Sequence, residues 1–268
     1  MDILQSFLLG IIQGLTEFLP ISSSGHLVLG KEILGVEVET GITFEVVVHF
    51  GTLCSILVYY RKIIWDLIAS GFSFLGAPSE HKSDPNVKLI GFILVSMIPA
   101  MIVGFTLEDQ VESIFSSPLI VSGMLIVTGL MLFSTKFVKD TPNDVSLTKS
   151  FVIGIAQSFA MIPGISRSGS TISTALWLGV KREAAANFSF LMLIPVIAGA
   201  MLLEVKELIE IGISDAALIN LIIGFLAAFI SGYYALKYLI IILKRRGFHY
   251  FAYYCWIAGG IGLVYFIV

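Results

Sequence analysis

Between Gln13 and His26 the sequence QGLTEFLPISSSGH gathers an amide, a carboxylate, three successive serines and an imidazole within otherwise apolar sequence. Gln13 and Glu17 are four residues apart, a spacing that sets both side chains on one face of a helix. Glu17 offers two kinds of chemistry. It can ligate a cation that bridges phosphate oxygens, since magnesium commonly takes one or two carboxylates plus phosphates, or it can orient or deprotonate a catalytic group. His26 can act as base, acid or nucleophile near neutral pH. Among the serines, Ser23 is the candidate nucleophile, whereas Ser22 and Ser24 fit helix capping and the satisfaction of backbone amides.

A second polar group, PGISRSGST at residues 163–171, carries Arg167, the one basic residue set inside apolar sequence. An arginine at mid-bilayer costs about 2.5–3.5 kcal/mol on insertion scales, so an anion should meet it. That anion is either Glu17 of the same chain or a ligand. The ligand is favoured because Ser166, Ser168, Gly169, Ser170 and Thr171 would present hydroxyls and unpaired amides at a helix start, which together with a guanidinium suit phosphate. Glu45 and His49 read as lining or structural residues, and Cys54 and Cys255 as small buried hydrophobes.

The chain that must position these groups has 268 residues, 57% hydrophobic and 13% charged, with a mean hydropathy of +0.95. That composition belongs to a membrane protein. No basic run interleaved with aromatics suggests nucleic acid, and the N-terminus has no basic region or cleavage site of a removable signal peptide. Six windows are long enough for the roughly 20 residues that a crossing helix needs: 44–60, 87–107, 118–138, 184–204, 216–243 and 249–268. The fifth exceeds the requirement and should tilt, or bend near Ser231 and Gly232. Residues 3–15 and 150–162 are apolar but too short, about 20 Å of helix each. Each ends at one of the two polar breaks and then resumes, which predicts two re-entrant helix–loop–helix hairpins, over about 2–36 and 150–180.

The hairpins repeat one another at an offset of 144 residues: Gly10 and Gln13 recur as Gly154 and Gln157, Ser22, Ser24 and Gly25 as Ser166, Ser168 and Gly169, and Leu34-Gly35-Val36 as Leu178-Gly179-Val180. Ser23 falls opposite Arg167, and Met161 replaces Glu17, so one half alone carries the acid. The expectation is a single all-α membrane domain over 1–268, built from inverted repeats at about 1–140 and 145–268. If each hairpin returns to its own side, all of the 16 basic residues but Lys31, Lys206 and Arg167 collect on one face, which the positive-inside rule makes cytoplasmic. The first hairpin then enters from outside, the second from the cytoplasm, and their tips meet near mid-membrane.

The two motifs, GLTEFLPISSSGH with Gln13 upstream and PGISRSGSTI at 163–172, resemble the signature pair of the bacterial undecaprenyl diphosphate phosphatases, also called bacitracin-resistance proteins. The likeness extends over the whole chain. It implies a hydrolase, assisted by magnesium or calcium, that converts a C55 isoprenyl diphosphate to the monophosphate and releases inorganic phosphate, recycling the lipid that carries cell-wall precursors. It implies a multi-pass protein of the bacterial cytoplasmic membrane, with the site open to the outer face, a polyprenyl diphosphate lipid as partner, and room for a homodimer. Carried over by position, the functional residues would be Gln13, Glu17, Ser23, His26, Ser166, Arg167 and Thr171, with Glu17 as the one acid of the first motif and the nucleophile either the serine or the histidine. Inverted repeats with broken helices also build transporters, so a lipid-phosphate flippase using the same site is the competing reading.

Overall fold

The computed structural model describes residues 1–35, 41–115, 117–199, 201 and 215–267. Among these the chain is helical throughout its ordered elements, with no β-strand beyond an isolated bridge between Asn143 and Val180. α1 (Ile3–Phe18) opens on a capping box in which Gln5 N donates to Asp2 Oδ1 at 2.7 Å and Asp2 N to Gln5 Oε1 at 2.9 Å. It stops before Pro20, and after a short break α2 (Ser23–Leu34) begins. α3 (Gly41–Tyr59) and α4 (Arg61–Gly76) follow, then the short α5 (Pro78–His81), α6 (Pro85–Phe115) and α7 (Pro118–Ser134). The second half holds α8 (Leu147–Phe159), α9 (Arg167–Trp177), α10 (Arg182–Leu191), α11 (193–199), α12 (Asp215–Lys244) and α13 (Phe251–Ile267).

Four helical stretches are long and apolar enough to cross a bilayer: Pro85–Leu107, Pro118–Phe137, Leu218–Lys244 and Phe248–Ile267. They coincide with four of the six expected windows. The window at 44–60 is helical, but at Tyr60 the chain turns through 80° into α4, and the pair counts as a fifth crossing if taken as one broken span. α4 lies between the expected windows 44–60 and 87–107. The window at 184–204 divides into α10 and α11 at Met192, and residues 200 and 202–204 lie outside the described residues. Lys206, on which part of the face assignment rests, also lies outside them.

Polarity is arranged for lipid. Large apolar side chains such as Phe105, Phe72 and Leu75 stand exposed, while Gln13, Glu17, Thr52, Ser96, Ser122, Thr128, Gln157, Ser166 and Thr171 are buried. The protein is a multi-pass membrane protein by this pattern and its long apolar helices.

The half-length helices are held by close crossings. α1 packs chiefly on α12 and α8 on α6, while α7 packs on α13. A Cβ on Gly10 would come 2.5 Å from the Gly224 carbonyl oxygen, and one on Gly154 would meet the backbone of Ser96. These two glycines stand 144 residues apart, and each lets a half-length helix cross a long one closely. Gly35 and Gly179, also counterparts, both adopt left-handed conformations (φ 62° and 71°) where the hairpins' second helices end. α12 runs as one helix through Ser231 and Gly232, which form the surface that Gly14 of α1 crosses. At the far end of the second hairpin, Asp140 pairs with Arg182 at 2.7 Å and with Arg246, and Lys181 N donates to Asn143 O at 2.8 Å. Together these fasten the 138–146 connection to α10 and to the end of α12.

Candidate active site

The two breaks place two helix starts against each other. Ser22 caps α2, its Oγ accepting from Gly25 N at 3.2 Å, and Ser166 caps α9, its Oγ accepting from Gly169 N at 3.0 Å. In each cap the second serine lies close by: Ser22 Oγ to Ser24 Oγ and Ser166 Oγ to Ser168 Oγ are both 3.3 Å. Ser22, Ser24, Ser166, Ser168 and Gly169 therefore organise the two turns. Ser22 does so at φ 71°, a backbone region costly for a side-chain-bearing residue and one that clusters at functional sites. The breaks touch directly: a Cβ on Gly25 would lie 3.0 Å from Gly164 Cα, and Ser168 Oγ lies 3.5 Å from the Leu19 carbonyl oxygen.

Glu17 is the centre of the arrangement. Its carboxylate forms an ion pair with Arg167 Nη2, accepts from Ser23 Oγ at 2.6 Å and from Gln13 Nε2 at 3.0 Å, and has His49 Nε2 at 3.9 Å. The side chain of Glu17 is 1% exposed, yet Arg167 and His49 keep 24% and 31% of theirs. The carboxylate is thus closed off while the basic groups beside it stay accessible, a geometry that admits an anion to Arg167. Gln13 spends its amide nitrogen on Glu17 and leaves its buried Oε1 without a partner.

The structure thus gathers Gln13, Glu17, Ser23 and Arg167. Of the two partners expected for the arginine, Glu17 takes it, and part of the guanidinium stays accessible beside the pair. Thr171 turns away, donating to the Arg167 carbonyl at 2.8 Å and pairing with Ser189. His26 belongs to α2 but its ring nitrogens meet the Ser22 carbonyl and the phenol of Tyr254, each at 2.8 Å. Sequence reasoning missed three residues. Thr128 of α7 donates to the Gly164 carbonyl (2.9 Å) and accepts from Ser166 N (3.0 Å), bracing the second break. His49 was read as lining, though a polar residue one turn from Glu45 in an apolar span was a signal. Tyr254, on the last helix, had no local signal at all.

Among the described residues no cluster of three His, Cys, Asp or Glu forms. The hard oxygen donors present are the unpartnered Gln13 Oε1 and the Glu17 carboxylate, whose two oxygens already take Arg167, Ser23 and Gln13, so a cation held here would draw nearly all of its shell from phosphate and water.

The fold and site define a multi-pass helical membrane protein in which two helix starts meet at a buried Glu17 paired with Arg167. The family described as bacitracin resistance protein BacA matches residues 6–261, and the chain belongs to it. Similar proteins include the undecaprenyl-diphosphatase of Salinibacter ruber, 45% identical over 97% of both chains. Those of Methanobrevibacter smithii and Halothermothrix orenii are 40% and 43% identical, each over 97% of this chain and 96% of the relative.

Proposed function

We infer that this chain is an undecaprenyl-diphosphatase, an integral membrane hydrolase that removes the terminal phosphate of the polyprenyl diphosphate. The observation that carries this reading is the convergence on one carboxylate of a serine hydroxyl, an amide and an arginine, brought from two breaks. The relatives, matched over nearly their full length, carry the name of that activity.

Phosphoryl transfer asks a protein mainly to align an attacker and to neutralise charge on the equatorial oxygens. Ser23 already directs its hydroxyl proton at Glu17 Oε2, so Glu17 is placed to accept it as Ser23 Oγ attacks the terminal phosphorus. The bond to the bridging oxygen breaks and the lipid leaves as its monophosphate. Arg167 would hold the transferred group, with the start of α9 adding its positive end. His26 lies three residues after Ser23, on the same side of α2, and serves as proton carrier for the water that then releases phosphate from Ser23. A magnesium or calcium ion held by Gln13 Oε1 and Glu17 would supply further neutralisation of phosphate charge.

The finer architecture belongs to the same reading. Six crossings and two re-entrant hairpins, arranged as inverted repeats over about 1–140 and 145–268, put the site near mid-membrane of the bacterial cytoplasmic membrane, open to the outer face, with the polyprenyl tail among the helices. The paired close crossings at Gly10 and Gly154 and the paired serine caps support the repeat.

The test is phosphate release from a polyprenyl diphosphate by the purified protein in detergent, where no second compartment exists. Release is expected. A protein that releases none, yet moves the lipid across proteoliposomes, is a flippase and not this hydrolase.

A further inference from the structure

His26 is held from two sides. Its Nδ1 lies 2.8 Å from the carbonyl oxygen of Ser22, one turn back on α2. A carbonyl oxygen only accepts, so the imidazole proton is on Nδ1. Nε2 of the neutral ring then carries the lone pair, and the phenol of Tyr254, 2.8 Å away, donates to it. The two rings also stack, 5.5 Å between centroids and 16° between planes. Tyr254 itself is fixed in register, since the next residue, Cys255, is buried and directs its thiol toward the Pro20 carbonyl at 3.9 Å, in the break that precedes Ser23. Beyond it, Gly259 of α13 lies against the Ser122 carbonyl of α7.

We propose that Tyr254 serves the hydrolysis through His26: the Ser22 carbonyl selects the Nδ1–H tautomer, and the phenol bonds Nε2 and passes a proton to it. This rests on the hydrolase reading above. The phenol suits both halves of a proton cycle: it donates to Nε2 of the neutral ring, and when that proton passes to Nε2 its oxygen takes one from the attacking water and accepts from Nε2–H. It therefore keeps the ring in one orientation through a change that would otherwise release it. Tyr254→Phe keeps the stacked ring and removes the hydroxyl alone.

The experiment compares phosphate release and 15N-histidine spectra of the detergent-purified protein, the His26 signals being assigned by their loss in His26→Gln. The wild type should show His26 as the Nδ1–H tautomer. Tyr254→Phe should lower kcat about tenfold with KM within about twofold, and should shift the His26 Nε2 resonance while Nδ1 stays protonated. In a His26→Gln background the same substitution should cost nothing further, as expected when one residue acts through another. Tyr253→Phe, whose ring packs on Phe133 and Trp256, should behave as wild type. An unchanged kcat in Tyr254→Phe overturns the proposal, and so does an equal loss with and without His26. If the wild type releases no phosphate, the hydrolase reading fails, and the spectra still decide the tautomer: His26 signals identical in wild type and Tyr254→Phe overturn the role of the phenol.

Discussion

Glu17 receives a guanidinium, a hydroxyl and an amide at once, so each neighbour tests a different part of its role. Arg167→Ala is expected to lower phosphate release by about 10³-fold or more, and Arg167→Lys, which keeps the charge and loses the planar fork, to recover part of it. Loss of the arginine also leaves a buried carboxylate unpaired, a cost of about 3–5 kcal/mol. Thermal unfolding should therefore separate the effects: Arg167→Met combined with Glu17→Gln should regain stability without regaining turnover. To identify the attacking group, labelled phosphate trapped by rapid denaturation in mild alkali, where phosphoserine and phosphohistidine both survive, should remain on Ser23 and be lost in Ser23→Ala; label that persists in Ser23→Ala but not in His26→Ala would make the imidazole the nucleophile. Much of this site was legible in the sequence because its information is local. The four-residue spacing of Gln13 and Glu17 fixes a shared helix face, and a lone arginine within apolar sequence demands a partner. The His26–Tyr254 bond was not legible, because nothing near residue 254 marks which tyrosine of α13 will face a ring 228 positions away.

At the scale of elements, the site depends on two helices that stop short and on neighbours that let them come close. Gly10→Ala and Gly154→Ala are each expected to destabilise the protein by about 1–3 kcal/mol, read as earlier unfolding in detergent, because the added carbon would meet backbone atoms that cannot step aside. Gly76→Ala, where a Cβ meets nothing within 4 Å, should leave stability nearly unchanged. The two helix–break–helix units were legible from apolar segments that stop at polar, proline-containing breaks and resume after them. α4 was not. Its residues RKIIWDLIASGFSFLG mix charge and apolar bulk without enough hydrophobic length for a crossing, and the 80° turn that sets it apart from α3 follows from tertiary packing on α6 more than from any local breaker.

For the whole molecule, the face assignment is tested by labelling. With Cys54 and Cys255 replaced, a cysteine introduced at Lys82 should react with an impermeant reagent only after cells are opened; labelling of intact cells would invert the topology. The clasp at Asp140 gives a pH prediction. The guanidinium of Arg182, hydrogen-bonded to Asp140, holds its carboxyl below the ordinary carboxylate value, and Arg246 adds to this. A lowered native value means the stabilisation is complete above the ordinary range and is lost as pH falls through the native one. Asp140→Asn should thus lower the unfolding temperature by about 1–3 °C at neutral pH, with the gap to wild type closing in acid.

The pairing of Arg167 with Glu17 has a consequence for how a lipid headgroup enters. Before any ligand arrives the formal charges of Arg167 and Glu17 cancel, so an arriving diphosphate is met by the helix starts and the accessible face of the arginine but by no net charge from the pair. Two or more negative charges moving to that depth would need escorts of their own, whether a metal ion or protons, travelling in with them. Affinity for a polyprenyl diphosphate should then climb with the concentration of divalent cation even in a variant such as Ser23→Ala that turns it over slowly, so that neutralisation at entry can be measured apart from the chemistry that follows.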